Sequence, residues 1–142
     1  MLILDTNVLS EVMRPAPDGR VLNWLDEQSA DSLWVTSITM AEIMYGIGRL
    51  PQGKRQAQLN EMALVMFAED FAGRIAVFDE AAALHYAELA CSRAQLGRPI
   101  SMADAQIAAI CRANSATLVT RNTKDFELLN LALIDPWSIP NQ

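Results

Sequence analysis

The chain has 142 residues, 51% of them hydrophobic, with 11 Lys and Arg against 17 Asp and Glu for a net charge of −6. That length suits one domain able to bury roughly two thirds of its unfolded surface, while the acidity excludes a protein that grips nucleic acid by a broad basic face. It leaves open a site in which clustered carboxylates meet phosphate through a divalent cation.

Leu2, Ile3 and Leu4 form an apolar run without alternation, as expected of a strand covered on both faces of a parallel sheet. The run stops at Asp5, and Thr6, Asn7 and Ser10 among Val8, Leu9 and Val12 read as the first turns of a helix. Asp5 therefore sits at a strand-to-helix junction, on the edge of an α/β sheet where ligands bind. Pro15 and Pro17 end that helix, and Asp18 can cap a second one whose inner face carries Val21, Leu22, Trp24 and Leu25. A short strand is expected over Leu33 to Thr36, followed by a helix opening at Ser37 with Met40, Ile43, Met44 and Ile47 at helical spacing. Lys54 to Asp70 reads as one longer helical segment, ended before Gly73.

Ile75 to Phe78 is the next expected strand, and Asp79 caps an Ala-rich helix running to Gln95 or Leu96, closed by Gly97 and Pro99. A helix over Ser101 to Asn114, a strand over Thr117 to Thr120, and a last strand over Leu131 to Ile134 complete the pattern. Strands alternating with helices imply βαβ units and a parallel sheet. The whole reads as one domain over residues 1–137 with a loosely held tail over 138–142. No apolar run approaches the ~18 residues of a membrane span. The N-terminus lacks a signal peptide's basic stretch. A soluble, cytoplasmic protein is expected. Cys91 and Cys111, in Ala-rich helical surroundings, are expected as buried free thiols.

The topology brings acids from separate parts of the chain to one place. Asp5 follows the first strand, Glu42 lies in the first turn after the second, and Asp125 follows the strand ending at Thr120. Asp104 joins them because its helix runs antiparallel to the strand it feeds, so that the helix start lies at the carboxyl edge. Each acid also has a structural reading. Asp5 can cap its helix, and Thr39-x-x-Glu42 and Ser101-x-x-Asp104 resemble capping boxes. Asp104 resists this more, since it shares a helical face with Ile107, Ala108 and Cys111. Asp79 and Asp135 also follow strands, but strands expected at the periphery, where cap and turn roles suffice.

A carboxylate cluster without His or Cys is a hard-oxygen site suited to Mg²⁺ or Mn²⁺, and such sites hydrolyse phosphodiesters. Asp5 and Asp104 are the first candidate metal ligands, with Glu42 and Asp125 completing the catalytic set. Thr6, Asn7, Thr120 and Asn122 are placed to orient carboxylates and water, and Arg98, Arg121 and Lys124 to hold phosphate. His85, mid-helix, reads as a partly buried surface residue, and Trp24, Trp34 and Trp137 as packing.

The stretches D-T-N-V-L-S-E at the start, T-x-A-E-I-x-Y-G around Glu42, A-D-A-Q-I-A-A at Asp104 and T-R-N-x-x-D-F at the end occur in order from Met1 to about Trp137. Together they resemble a PIN-domain ribonuclease, and more narrowly the toxin of VapBC-type toxin–antitoxin pairs, including the FitB-like branch. The resemblance implies a three-layer α/β/α sandwich around a mostly parallel sheet of about five short strands. It also implies a Mg²⁺- or Mn²⁺-dependent endoribonuclease, homodimeric, inhibited by a cognate antitoxin and reaching operator DNA only through that antitoxin. Asp5, Glu42 and Asp104 match the family's three principal acids; some relatives carry a fourth where this chain has Asn122, and Asp125 stands nearby. Two rival readings differ in class. One is a phosphatase with Asp5 as covalent nucleophile, against which Asn7 stands where a second Asp is usual. The other is a non-catalytic interaction module whose acids are caps, with Met62 and Met66 on a helix that could pack a partner.

Overall fold

The computed structural model describes residues 1–139. Its strands are β1 (Leu2–Leu4), β2 (Leu33–Thr36), β3 (Ile75–Ala76), β4 (Thr117–Val119) and β5 (Leu133–Ile134). They form one sheet in the order β3-β2-β1-β4-β5, and every neighbouring pair is parallel. The helices are α1 (Thr6–Val12), α2 (Gly19–Asp26), α3 (Ser37–Gly48), α4 (Lys54–Val65), α5 (Glu80–Gln95) and α6 (Met102–Ala113).

Alternation along the central strands builds the three layers. Ile3 and Leu118 point into one apolar cluster, shared with Leu89 of α5 and Ile107 and Ala108 of α6. Leu4 and Val119, one residue further on, point into a second cluster with Val8 of α1, Val21 of α2, Ile43 of α3 and Ala63 of α4. With both faces covered, the strands need no polar face, which is why Leu2–Leu4 is continuously apolar. The chain builds outward from β1 to β3, then returns to add β4 and β5 on the other side. The reversal falls between β1 and β4, and a crevice opens beyond the carboxyl ends of strands at such a point.

The ends of several elements differ from the sequence-based expectation. β3 stops at Ala76 and β5 begins only at Leu133, because each is an edge strand paired on one side only. The segment expected as one helix over Lys54 to Asp70 ends its regular part at Val65 and continues as a π-helical turn over Met66–Asp70. That turn directs Met66 and Phe67 into the core while Met62 stays half exposed. Cys111 is buried as expected, but Cys91 is exposed, since it lies on the outer face of α5. Ser138 is tied to the carbonyl of Asp135 through both its amide and its hydroxyl. Residues 140–142 of the expected tail lie outside the described residues. No helix among the described residues is long and apolar enough to cross a membrane.

Leu118 is fully buried at the centre of the sheet, paired with Ile3 on one side and Leu133 on the other. Leu118→Ala should cost about 2–5 kcal/mol of unfolding free energy, read from the urea midpoint at unchanged slope.

Candidate active site at the carboxyl edge of the sheet

Asp5 follows β1 at the reversal point. It caps α1, with Oδ1 accepting from the Thr6 amide at 2.8 Å. Oδ2 accepts from the Thr120 hydroxyl at 2.8 Å and from Asn7 Nδ2 at 3.3 Å. Thr120 follows β4 and is fully buried. Besides that donation, its Oγ1 accepts from Asn7 Nδ2 at 3.2 Å and from the Asn122 amide at 3.0 Å. One donor and two acceptor positions are all that a hydroxyl offers, so Thr120 is saturated and its direction is fixed. Asn7 closes the link by accepting from the Arg121 amide at 3.3 Å. The end of β1 and the loop after β4 are thus locked together around one carboxylate.

Glu42 arrives from α3, which β2 feeds directly. The cap of α3 is Thr36, whose hydroxyl accepts from the Thr39 amide at 3.0 Å. This removes the capping-box reading of Thr39 and Glu42, since Thr39 already lies inside the helix. Glu42 instead accepts through Oε1 from the Thr6 hydroxyl at 2.8 Å. Thr6 Oγ1 also lies 3.0 Å from Thr39 Oγ1. With the Thr6 proton on Glu42, Thr39 is the donor in that pair.

Asp104 lies in the first turn of α6, half-buried, with its amide donating to the capping Ser101 hydroxyl at 3.3 Å. The face expected to look inward does so: Ile107, Ala108 and Cys111 are all fully buried.

Asp5, Glu42 and Asp104 line one open cavity of about 510 Å³ together with Thr6, Asn7 and Asn122. The remaining wall is formed by Ser10, Glu11, Arg14, Arg121 and Trp137. Asp125 does not line it. The short 3₁₀ turn Thr123–Phe126 is pinned by buried Phe126 and by Arg93, which donates to the carbonyls of Asp125 and Glu127. The Asp125 side chain is thereby left in an adjoining depression with Arg121, Asn122, Thr123 and Lys124. Its charge still reaches the site, since it helps to raise the pKa of Asp104.

Two carboxylates of the cavity are held above their ordinary pKa, chiefly by burial, with like charge adding to it. Burial pushes Asp5 up from its ordinary 3.8 to about 6; hydrogen bonds from Thr120 and Thr6 oppose the shift, and the charges of Asp104 and Glu42 add to it. Asp104 is raised too, first by burial and then, against a hydrogen bond from Ser101, by the charges of Asp125 and Glu42. Both shifts mean that the charged carboxylates are disfavoured where they stand, first for want of solvent and then by their like-charged neighbours.

Glu11, Arg14, Ser10 and Trp137 join the cavity wall without having been expected there from the sequence. Asn7, Ser10, Glu11 and Arg14 stand at i, i+3, i+4 and i+7, so the stripe was present as helical periodicity. Glu11 is nonetheless buried, accepting from the Asp18 amide at 3.1 Å and from Arg14 at 3.3 Å. Trp137 is buried, as a packing residue should be, yet also borders the cavity. No local signal could have revealed that, because it depends on how β5 returns. His85 borders a separate depression with Cys111 and Arg112 and does not line the carboxylate cavity.

Comparison with known proteins agrees with this geometry. A family profile described as PIN domain matches residues 2–130. The chain is 42% identical to the plasmid stability protein StbB of Pseudomonas syringae pv. tomato, over 96% of this chain and 99% of that one. It is 39% identical to toxin FitB of Neisseria gonorrhoeae, over 96% of this chain and 99% of that one. It is 37% identical to the VapC ribonuclease Y4jK of Sinorhizobium fredii, over 96% and 98% respectively. Among solved structures, a FitAB complex bound to an IR36 DNA fragment contains a chain that superposes with a TM-score of 0.92 at 37% identity, covering 100% of this chain and 99% of that one. With the profile, the sequence matches and the fold in agreement, this chain belongs to the PIN-domain family, in the branch that holds the FitB and VapC toxins.

Proposed function

We propose that this protein is the toxin of a type II toxin–antitoxin pair and acts in the cytoplasm as a divalent-metal-dependent endoribonuclease. The observation that carries this reading is the convergence on one cavity of three carboxylates, one following β1 and the others on α3 and α6, two of them held above their ordinary pKa by burial and by one another. A cation relieves that crowding. The donors fit Mg²⁺ or Mn²⁺, being all oxygen with no His or Cys on the cavity wall. Among the described residues no three acidic, His or Cys side chains make a ready cage. Mg²⁺ does not need one, since it takes one or two carboxylates and completes its shell with water and phosphate.

Asp5 and Asp104 would hold the ion. When bound, a divalent cation supplies polarisation of the phosphodiester and a water made acidic enough to attack at neutral pH. Thr120 and Asn7 keep Asp5 aimed, and Thr6 does the same for Glu42 through Oε1. Glu42 Oε2 has no hydrogen-bond partner among the described residues, and accepts the proton of the attacking water as the new oxygen–phosphorus bond forms. The oxygen that leaves phosphorus takes a proton from solvent. Asp125 acts from the adjoining depression as a charge that strengthens cation binding at Asp104.

The phosphatase reading loses support because Asn7 stands where a second Asp is usual and directs its amide donors to Asp5 and Thr120. The partners proposed are an RNA substrate, a second copy of the chain, and an antitoxin through which operator DNA is reached. The domain proposed for this activity is residues 1–137, with 138–142 as a tail.

Purified protein free of antitoxin should cut end-labelled single-stranded RNA with Mg²⁺ or Mn²⁺ and not with EDTA. Failure to cut several RNAs, together with no metal binding at millimolar concentrations, would overturn the reading. Thr6→Val removes the hydroxyl that fixes Glu42 at nearly constant volume, and should lower kcat by roughly tenfold, less than the loss of about a hundredfold or more expected on removing the proton acceptor itself. Unchanged kcat would remove Thr6 from positioning Glu42.

A further inference from the structure

We infer that Arg121, stacked on Trp137, is a backbone-phosphate subsite through which single-stranded RNA leaves the carboxylate cavity towards Lys124. The inference rests on the ribonuclease reading and extends it to how substrate is held.

Three observations meet here. The Arg121 guanidinium lies 5.1 Å from the centre of the Trp137 ring, and that ring is itself buried. A guanidinium resting on an immobile aromatic face keeps its in-plane N–H donors available and loses less side-chain freedom on binding phosphate than an unsupported one. The base of this stack is fixed independently, since the Trp137 amide donates to Asp135 Oδ1 at 2.9 Å and the Arg121 amide donates to Asn7. Second, Arg121 makes no ion pair within contact distance among the described residues, its charge acting only at longer range on Asp18, which Arg20 already pairs, in contrast to Arg14 across the cavity, which is paired with Glu11. Third, Arg121 and Asn122 line both the carboxylate cavity and the adjoining depression of about 340 Å³ that contains Lys124. The two spaces therefore share a wall, and a strand whose scissile phosphate sits at the carboxylates can pass directly over Arg121.

The position also suits the charge balance. With a net charge of −6 the protein has no general attraction for RNA, so phosphate must be met by local cations. A base has no room to stack on Trp137, because Arg121 occupies that face. The subsite should read the backbone and not the sequence.

The test uses the full chain in EDTA and a fluorescent single-stranded 2′-O-methyl RNA, which the enzyme cannot cut without metal, with binding followed by anisotropy across a salt series. Arg121→Ala should weaken binding by about tenfold and flatten the slope of log K against log salt by about 0.7, the value for one phosphate contact on a single strand. Arg121→Lys, which keeps the charge and loses the stacked fork, should fall between the two. In cleavage assays with Mn²⁺, Arg121→Ala should raise KM by a similar factor with kcat within about threefold, as for an interaction made equally in ground and transition states. Lys124→Ala should also reduce affinity and salt slope, by less. Affinity and slope unchanged in Arg121→Ala would overturn the subsite while cleavage by the wild type continued. If the wild type neither bound nor cut RNA, the ribonuclease reading itself would fall, taking the subsite with it.

Discussion

Asp104→Asn is expected to abolish RNA cleavage, by at least about a hundredfold in kcat, while leaving the fold intact. Loss of one carboxylate that holds a catalytic cation removes several kcal/mol of transition-state stabilisation, and about 1.36 kcal/mol corresponds to tenfold in rate. The fold should survive for a reason visible in the structure. Asp104 contributes its backbone amide to the α6 cap, while the Ser101 hydroxyl is the acceptor. An asparagine keeps that amide and the side-chain volume, and it removes a charge that its surroundings disfavour. The variant should therefore melt at or above the wild-type temperature without metal, and cut no RNA with it. Full cleavage by a well-folded Asp104→Asn protein would end the hydrolytic mechanism and favour an interaction module.

The second large effect is on stability against pH. Asp5 has a pKa of about 6 in the folded protein and 3.8 as its ordinary value, so between those limits the folded state binds more protons than the unfolded one. Stability of the metal-free protein should then fall as pH rises from about 4 to about 6, and Asp5 makes no further contribution above that. One proton held across that interval amounts to a drop of roughly 3 kcal/mol, and the upward shift of Asp104 acts in the same direction. Urea unfolding in EDTA at pH values of about 5 and about 7.5 reads roughly half of that drop, about 1.4 kcal/mol, with Asp5→Asn as the control that removes most of the slope. Added Mn²⁺ should restore stability at the higher pH and do little at the lower one, where protons compete for the same carboxylate. Equal stability at both pH values in EDTA would show that Asp5 is not strained by its burial.

These two outcomes describe one design. Asp5 and Glu42 are fixed by one network through Thr6, Asn7 and Thr120, Asp104 faces them from α6 across the cavity, and on the proposed mechanism stability is given up where a cation is to bind. A buried thiol such as Cys111, whose ionisation burial strongly opposes, illustrates the opposite case, in which burial merely silences a group.

Much of this was determined by the sequence itself. The uninterrupted apolar run of Leu2–Leu4, the stop at Asp5 and the alternation of short strands with amphipathic helices dictated a parallel sheet covered on both faces. Parallel connectivity in turn places every strand end and α6's start on one edge. Asp5, Glu42 and Asp104 could be assigned to that edge from the sequence, because topology is a coarse property that hydrophobic periodicity controls. Caps were legible for the same local reason: Asp18, Asp79 and Ser101 each accept a hydrogen bond from an amide of the helix they precede.

Tertiary structure decided what depends on distances between segments far apart in the chain. The sequence could not tell that Thr36 caps α3 and so releases Glu42 to Thr6, nor that Thr120 bonds Asp5 across 115 residues. It placed Asp125 among the converging acids, whereas the anchoring of its turn by Phe126 and Arg93 turns it into the neighbouring depression. Arg121 meets Trp137 only because β5 returns beside β4 and brings the chain end under the loop that follows Thr120. Periodicity reports which face of an element is buried; which side chains meet across the crevice is fixed by packing and by the saturation of particular hydrogen-bonding atoms.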